Sequence, residues 1–128
     1  MTPHELLAAA SALMQRPDAS AAGIWPRAAA LLARQAIEAA MGELWAAKRQ
    51  AAGLSGSTMR SQVLCLTAYL DRGTASRAAY LLAALSRACH YHPYELAPTA
   101  AELLGWLDET AQIVTRIQAA SAAPAGHS

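Results

Sequence analysis

Leu85-Ser86-Arg87-Ala88-Cys89-His90-Tyr91-His92-Pro93-Tyr94-Glu95-Leu96 is the stretch on which the reading of this chain turns. It gathers two imidazoles, a guanidinium, a thiol, two phenols and a carboxylate, and no other stretch concentrates reactive groups in this way. A helical run from Ala75 to Leu85 leads into it, with Ala78, Leu81, Leu82 and Leu85 as the buried stripe and Arg77 and Arg87 off that stripe. At 3.6 residues per turn, His90 falls on the helical face of Arg87, whereas His92 is turned roughly 140° away. Pro93 changes the geometry. Its ring disfavours the α conformation at His92 and removes a backbone donor. A kink or helix end is therefore expected at His92, and a break there would turn His92 and Tyr94 back towards Arg87.

Such a trio suits cleavage of a phosphodiester without a metal. Arginine is always charged, and its planar fork fits phosphate oxygens. Histidine titrates near neutral pH and exchanges protons. Tyrosine stacks on a base or hydrogen-bonds a phosphate. A plainer reading stands beside this one: Arg87 as a cation suited to a helix C-terminus, His92 as a hydrogen-bonded residue before a turn, Tyr94 as an amphipathic packing residue. A zinc site built from His90 and His92 with Cys89 or Glu95 is disfavoured. Ligands from one short stretch rarely close a tetrahedral site, and Cys65 lies alone on another segment.

The rest of the chain bounds these options. Its 128 residues fit one domain with one core. A hydrophobic fraction of 55% and a charged fraction of 15% describe a globular chain. A net charge of +1 excludes a strongly basic nucleic-acid binder, so any RNA contact must be local and made by a few arginines. Cys65 and Cys89, the only cysteines, sit in apolar helical context and read as buried thiols of a reducing, cytoplasmic compartment. The start, Met1-Thr2-Pro3-His4-Glu5, lacks the basic region of a signal peptide, and no apolar run reaches membrane-spanning length. No cofactor is expected: a strand-linked glycine-rich phosphate loop, a Cys-x-x-Cys pair and a Gly-x-Ser-x-Gly elbow are all missing.

Five helices joined by short loops are expected, in an all-α up-down bundle. Thr2, Pro3 and Glu5 form a capping box for a helix reaching Arg16, with Leu6, Ala10, Leu13 and Met14 as its stripe. Residues 17–23 read as a small-residue loop. The second helix runs from Arg27 to Ala51 on Ala30, Ala33, Ile37, Met41, Leu44 and Trp45. Ala33, Ala40 and Gly42 are placed to let a neighbour approach closely, and Arg34 and Glu38 make an i,i+4 pair. Residues 52–57 form a turn. Ser57 or Thr58 caps a third helix bearing Met59, Val63, Leu66, Tyr69 and Leu70, with Gly73 as its left-handed C-terminal cap. Thr74 caps the fourth. Thr99 and Glu102 make a second capping box for the fifth, which carries Leu103, Leu104, Trp106, Leu107, Ile113, Val114 and Ile117. The domain spans 1–120, and 121–128, with His127, is a small-residue tail. Trp25, Trp45 and Trp106 anchor helix packing or a subunit interface.

The spacing Arg87-x4-His92-x-Tyr94, at the end of the fourth helix of an all-helical chain, resembles the Arg-x4-His-x-Tyr pattern of the HEPN superfamily. The stretch Ala30 to Ala40 is also similar to a helix of that superfamily. The likeness extends over helix count, order and motif, and so over most of the chain. HEPN domains are small, all-helical, bacterial and archaeal, and many are metal-independent ribonucleases of toxin–antitoxin and phage-defence systems. The resemblance implies that Arg87 binds the scissile phosphate and that His92 is the general acid or base for attack by the ribose 2′-hydroxyl. It implies that Tyr94 shapes the cleft and is the residue a nucleotidyltransferase-type antitoxin would modify. It also implies a homodimer with the cleft between protomers. One position departs: the motif arginine is usually followed by a polar residue, and here by Ala88. That departure fits a catalytically inactive RNA- or protein-interaction member, while His90 offers a partial substitute.

Overall fold

The computed structural model describes residues 1–15, 25–90 and 98–123, except for the side chain of Trp25. They form five α-helices: α1 (Pro3–Met14), α2 (Trp25–Ala47), α3 (Met59–Cys65), α4 (Arg72–Cys89) and α5 (Ala100–Ala122). Two 3-10 segments, Arg49–Gly56 and Leu66–Ala68, flank α3. No strand occurs among the described residues.

The second helix is the axis of the bundle, because its apolar positions recur at helical spacing over a wide arc. Ala29, Ala30, Ala33, Ala36, Ile37, Ala40, Met41, Leu44 and Trp45 are all fully buried. Its alanines let α1, α4 and α5 pack closely against it. Leu6, Leu7 and Ala10 of α1, Ala78, Leu81 and Leu85 of α4, and Leu103, Val114 and Ile117 of α5 complete the core. Helix directions follow from the polar pairs that cross between them. Glu43 and Lys48 of α2 and its C-terminal flank meet Gln118 and the carbonyl of Ala123 in the same order, so α2 and α5 run parallel. Asp71 and Arg77 meet Arg116 and Glu109 in reverse order, so α4 runs antiparallel to α5. His4 at the start of α1 bonds Gln118 near the end of α5. The four long helices, α1, α2, α4 and α5, therefore alternate in direction, with the short α3 in the connection between α2 and α4.

Helix ends depart from the expected ones where a side-chain cap or proline acts. Thr2 accepts from the Glu5 N–H at 3.1 Å, but only this half of the expected box forms. Both halves form at Thr99 and Glu102, at 3.1 and 3.0 Å. α1 stops at Met14, short of Arg16, and α2 stops at Ala47, giving way to a 3-10 segment where a longer helix and then a turn were expected. Gly73 is not a left-handed cap. Asp71 caps α4 by accepting from the Thr74 N–H at 3.0 Å, which leaves Gly73 inside the first turn and relieves Thr74 of the capping role. α5 continues to Ala122, past the expected start of the tail, with Ser121 donating back to the Ile117 carbonyl at 3.0 Å. The 17–23 loop and residues 124–128, with His127, lie outside the described residues.

Ala33 and Ala40 are close-approach positions, as expected, but Gly42 is not: a Cβ there meets nothing within 4 Å, and the same holds at Gly105 in α5. Both glycines carry the entropic penalty of a helix interior without a packing reason. Gly42→Ala and Gly105→Ala are each expected to stabilise the fold by about 0.5–1 kcal/mol, read as a raised urea midpoint with an unchanged slope.

Candidate functional site

The site is built at the C-terminal end of α4. Arg87 lies in its last turn, one helical turn beyond Ala83, and is exposed. Among the described residues it has no ion-pair or hydrogen-bond partner. The helix ends at Cys89, and His90 is its cap, with φ −96° and ψ 141°. Its N–H reaches back to the Arg87 carbonyl at 3.3 Å. The helix thus ends before His92, where the break was expected. A proline ring clashes with the carbonyl four residues earlier as well as restricting its neighbour, and four residues before Pro93 is Cys89. His90 therefore does not extend the helical face of Arg87. It is an exposed residue in extended backbone just past the helix end, close in sequence to Arg87 but free to aim elsewhere. His92, Tyr94, Tyr91 and Glu95 lie outside the described residues.

Behind Arg87 is a contact that sequence reasoning did not find. Arg34 of α2 donates from Nη1 to the Cys89 Sγ at 3.2 Å. The thiol in turn donates to the Ser86 carbonyl at 3.3 Å. Cys89 is half-buried, not the buried small hydrophobe expected, and Cys65 is half-buried too. The expected Arg34–Glu38 pair is present, but at 3.6 Å from Nε it is too long for a hydrogen bond, and this buried Nε has no other partner among the described residues. The available signal was a guanidinium set between Ala33 and Ala36 on the buried arc of α2.

Charge is unevenly spread. Residues 48–90 carry six Lys and Arg side chains and one carboxylate, Asp71, while the rest of the chain carries four and eight. The net charge of +1 conceals a basic middle and acidic flanks. At the N-terminal end of α4 these charges pair with one another around a cleft of about 500 Å³: Arg77 with Glu109, and Asp71 with Arg116 at 3.9 Å. At the other end Arg87 has no partner among the described residues, and neither has Arg60 on α3. The hydroxyl and N–H of Thr74 donate to the Asp71 carboxylate and hold its pKa below the ordinary value of 3.8, with Arg116 acting in the same direction. A depressed carboxylate contributes stability above its unfolded pKa and loses it as pH falls through the folded one. Asp71→Ala is thus expected to lower the thermal midpoint at neutral pH, with the deficit shrinking on acidification below pH 3.8, as differential scanning fluorimetry across pH would show.

Comparison with family models, curated proteins and solved structures finds no match to the chain.

The chemistry within reach therefore follows from the residues themselves. Among the described residues, no three His, Cys, Asp or Glu side chains cluster as a metal ion would require. None of the described helices is long and apolar enough to cross a membrane. What α4 presents at its end is a solvent-facing guanidinium and an adjacent imidazole, next in sequence to a further histidine and a tyrosine. The C-terminal end of a helix carries partial negative charge, so an anion bound there is held by side chains and not by the helix dipole.

Proposed function

We propose that this chain is a HEPN-like, metal-independent endoribonuclease, a toxin or defence component acting in the cytoplasm as a homodimer. Arg87 binds and polarises the scissile phosphate. His92 takes the proton of the ribose 2′-hydroxyl or delivers one to the leaving 5′-oxygen. The 2′-oxygen forms the new bond to phosphorus as the bond to the 5′-oxygen breaks, giving a 2′,3′-cyclic phosphate and a 5′-hydroxyl. Neither a metal nor a water enters that step. His90 and Tyr94 contact the RNA around it.

The observation that carries this reading is the exposed Arg87 at the end of α4, without a partner among the described residues, in a basic stretch of the chain, with the helix stopping before His92. The test is incubation of the purified protein with single-stranded RNA in EDTA. Cleavage with cyclic-phosphate ends is expected. A DNA strand of the same sequence should stay intact, because it lacks the attacking hydroxyl, and uncut RNA would overturn the proposal. Expression in a bacterial host is expected to arrest growth, with His92→Ala relieving the arrest. A nucleotidyltransferase-type antitoxin modifying Tyr94 would relieve it in the same way.

Ala88 favours a second reading, a catalytically inactive RNA- or protein-interaction module. Its methyl group packs against the core, so the position after Arg87 offers no polar group to a substrate. RNA that is bound but never cut would identify it.

A further inference from the structure

α3 is an incompletely covered helix. Of its seven residues only Gln62 is buried. Met59, Val63 and Cys65 are half-buried, and Leu64 is 68% exposed, more than any other large apolar side chain except Met1 among the described residues. Leu64 edges an open groove of about 270 Å³ between α3 and α4. Met59 and Val63 line one wall, and Ala79, Leu82 and Ala83 the other. The two alanines lie one helical turn apart and keep that wall low, so a backbone can come close.

Among the described residues, the charge around this groove has one sign. Arg60 lines it, and Arg87 lies one turn beyond Ala83 on the same helix, both exposed and both without a partner among the described residues. No carboxylate occurs on α3 or within α4, and the two that meet α4 among the described ion pairs are taken up away from the groove: Asp71, at its far end, by Thr74 and Arg116, and Glu109 by Arg77.

We infer that the α3–α4 groove is a docking site for an acidic amphipathic helix of a partner protein. A groove between two helices accepts a third by the ridge-and-groove packing that builds the bundle itself. A seven-residue helix is about 10 Å long, roughly two turns, which matches two apolar anchors at i and i+4 of the incoming helix. Its flanking carboxylates would meet Arg60 and Arg87. RNA fits less well: among the described residues the floor is apolar, no aromatic ring lines the groove to stack a base, and Arg60 is the only cation in the lining. A second copy of the chain also fits less well. The exposed ridge of α5 around Leu104 offers one carboxylate one turn away, Asp108, to two arginines. The inference does not rest on the ribonuclease reading: Leu64 and Arg60 have no part in that reading, and Arg87, which the two share, is left unchanged in the test.

The test uses the full chain and two fluorescein-labelled, helix-stapled peptides. One has leucines at i and i+4 bordered by glutamates, and the other has every glutamate replaced by lysine. Anisotropy at low salt is expected to show micromolar binding of the first and at least about tenfold weaker binding of the second, a difference that high salt narrows. Leu64→Asp and Arg60→Glu are each expected to weaken the first by about tenfold or more. Both sites are exposed, so circular dichroism should match the wild type, and RNA cleavage by Leu64→Asp should be unchanged. Equal binding of the two peptides would overturn the inference, as would full binding by Leu64→Asp. So would a self-associated wild type that Leu64→Asp turns into monomers, or a short RNA whose binding is lost in the same two variants.

Discussion

Trp45→Ala is expected to destabilise the bundle by about 3–5 kcal/mol, the largest loss available to a single core substitution. Trp45 is the bulkiest of the fully buried side chains among the described residues. Its ring meets Tyr69 edge-on, with centroids 5.9 Å apart and planes at 62°, a geometry that adds about 0.5–1.5 kcal/mol to burial alone. Its Nε1 donates to the Gln62 Oε1 at 2.9 Å, and the Gln62 amide donates to the Ser57 carbonyl at 3.0 Å. One indole therefore holds α2, α3 and the chain entering α3 together, and its removal also strands a buried amide oxygen. Against a typical stability of about 5–15 kcal/mol, such a loss takes much of the whole. Urea unfolding followed by far-ultraviolet circular dichroism measures it. Gln62→Ala removes the partner instead and leaves the indole N–H unpaired, an expected loss of about 1–3 kcal/mol. The double variant should lose less than the sum, because the two share one hydrogen bond. A Trp45→Ala loss under about 1 kcal/mol would mean that the indole does not hold these elements.

The contrast between Trp45 and its partner shows which parts of the fold a linear reading reaches. Ala33, Ile37, Met41, Leu44 and Trp45 announce a buried helix face by spacing alone, and Thr99 with Glu102 announce a helix start, because period and cap are both local. Gln62 is seventeen positions from Trp45 and Cys89 fifty-five from Arg34, and neither pairing leaves a periodic trace. Helix ends that differ from those expected also have local causes. Asp71 outcompetes Thr74 as a cap because its carboxylate accepts from both the N–H and the hydroxyl of Thr74. Pro93 ends α4 earlier than its neighbour rule implies, because its ring also acts four residues back. For the site, the exposure of Arg87 was legible, since it lies off the Ala78, Leu81, Leu82 and Leu85 stripe. Its lack of a counter-charge among the described residues was not, because the position of a carboxylate in sequence does not say which cation it faces in the fold.

That isolation gives the second large effect. Arg87→Ala is expected to lower the rate of RNA cleavage by two to four orders of magnitude, on the order expected for losing a preorganised charge at a developing oxyanion. His92→Ala is expected to lose about as much, through the proton-transfer step. The two losses should not multiply in the double variant, since phosphate polarisation and proton transfer serve one transition state. Arg87→Lys separates charge from geometry: an ammonium keeps the charge but not the fork, so a partial rate is expected, above that of alanine and below that of arginine. His90→Ala, at the cap of α4 and outside the motif, should cost less than His92→Ala. None of these changes should disturb the fold, since Arg87 and His90 are exposed and Arg87 pairs with nothing among the described residues, so thermal midpoints near wild type accompany the activity losses. The stability measurement matters as much as the rate. A dead enzyme with an intact midpoint assigns the arginine to chemistry, whereas a lowered midpoint in proportion to lost activity assigns it to the end of α4. Full cleavage by Arg87→Ala would remove the guanidinium from the mechanism altogether, and with it the physical basis for a phosphate at this helix end.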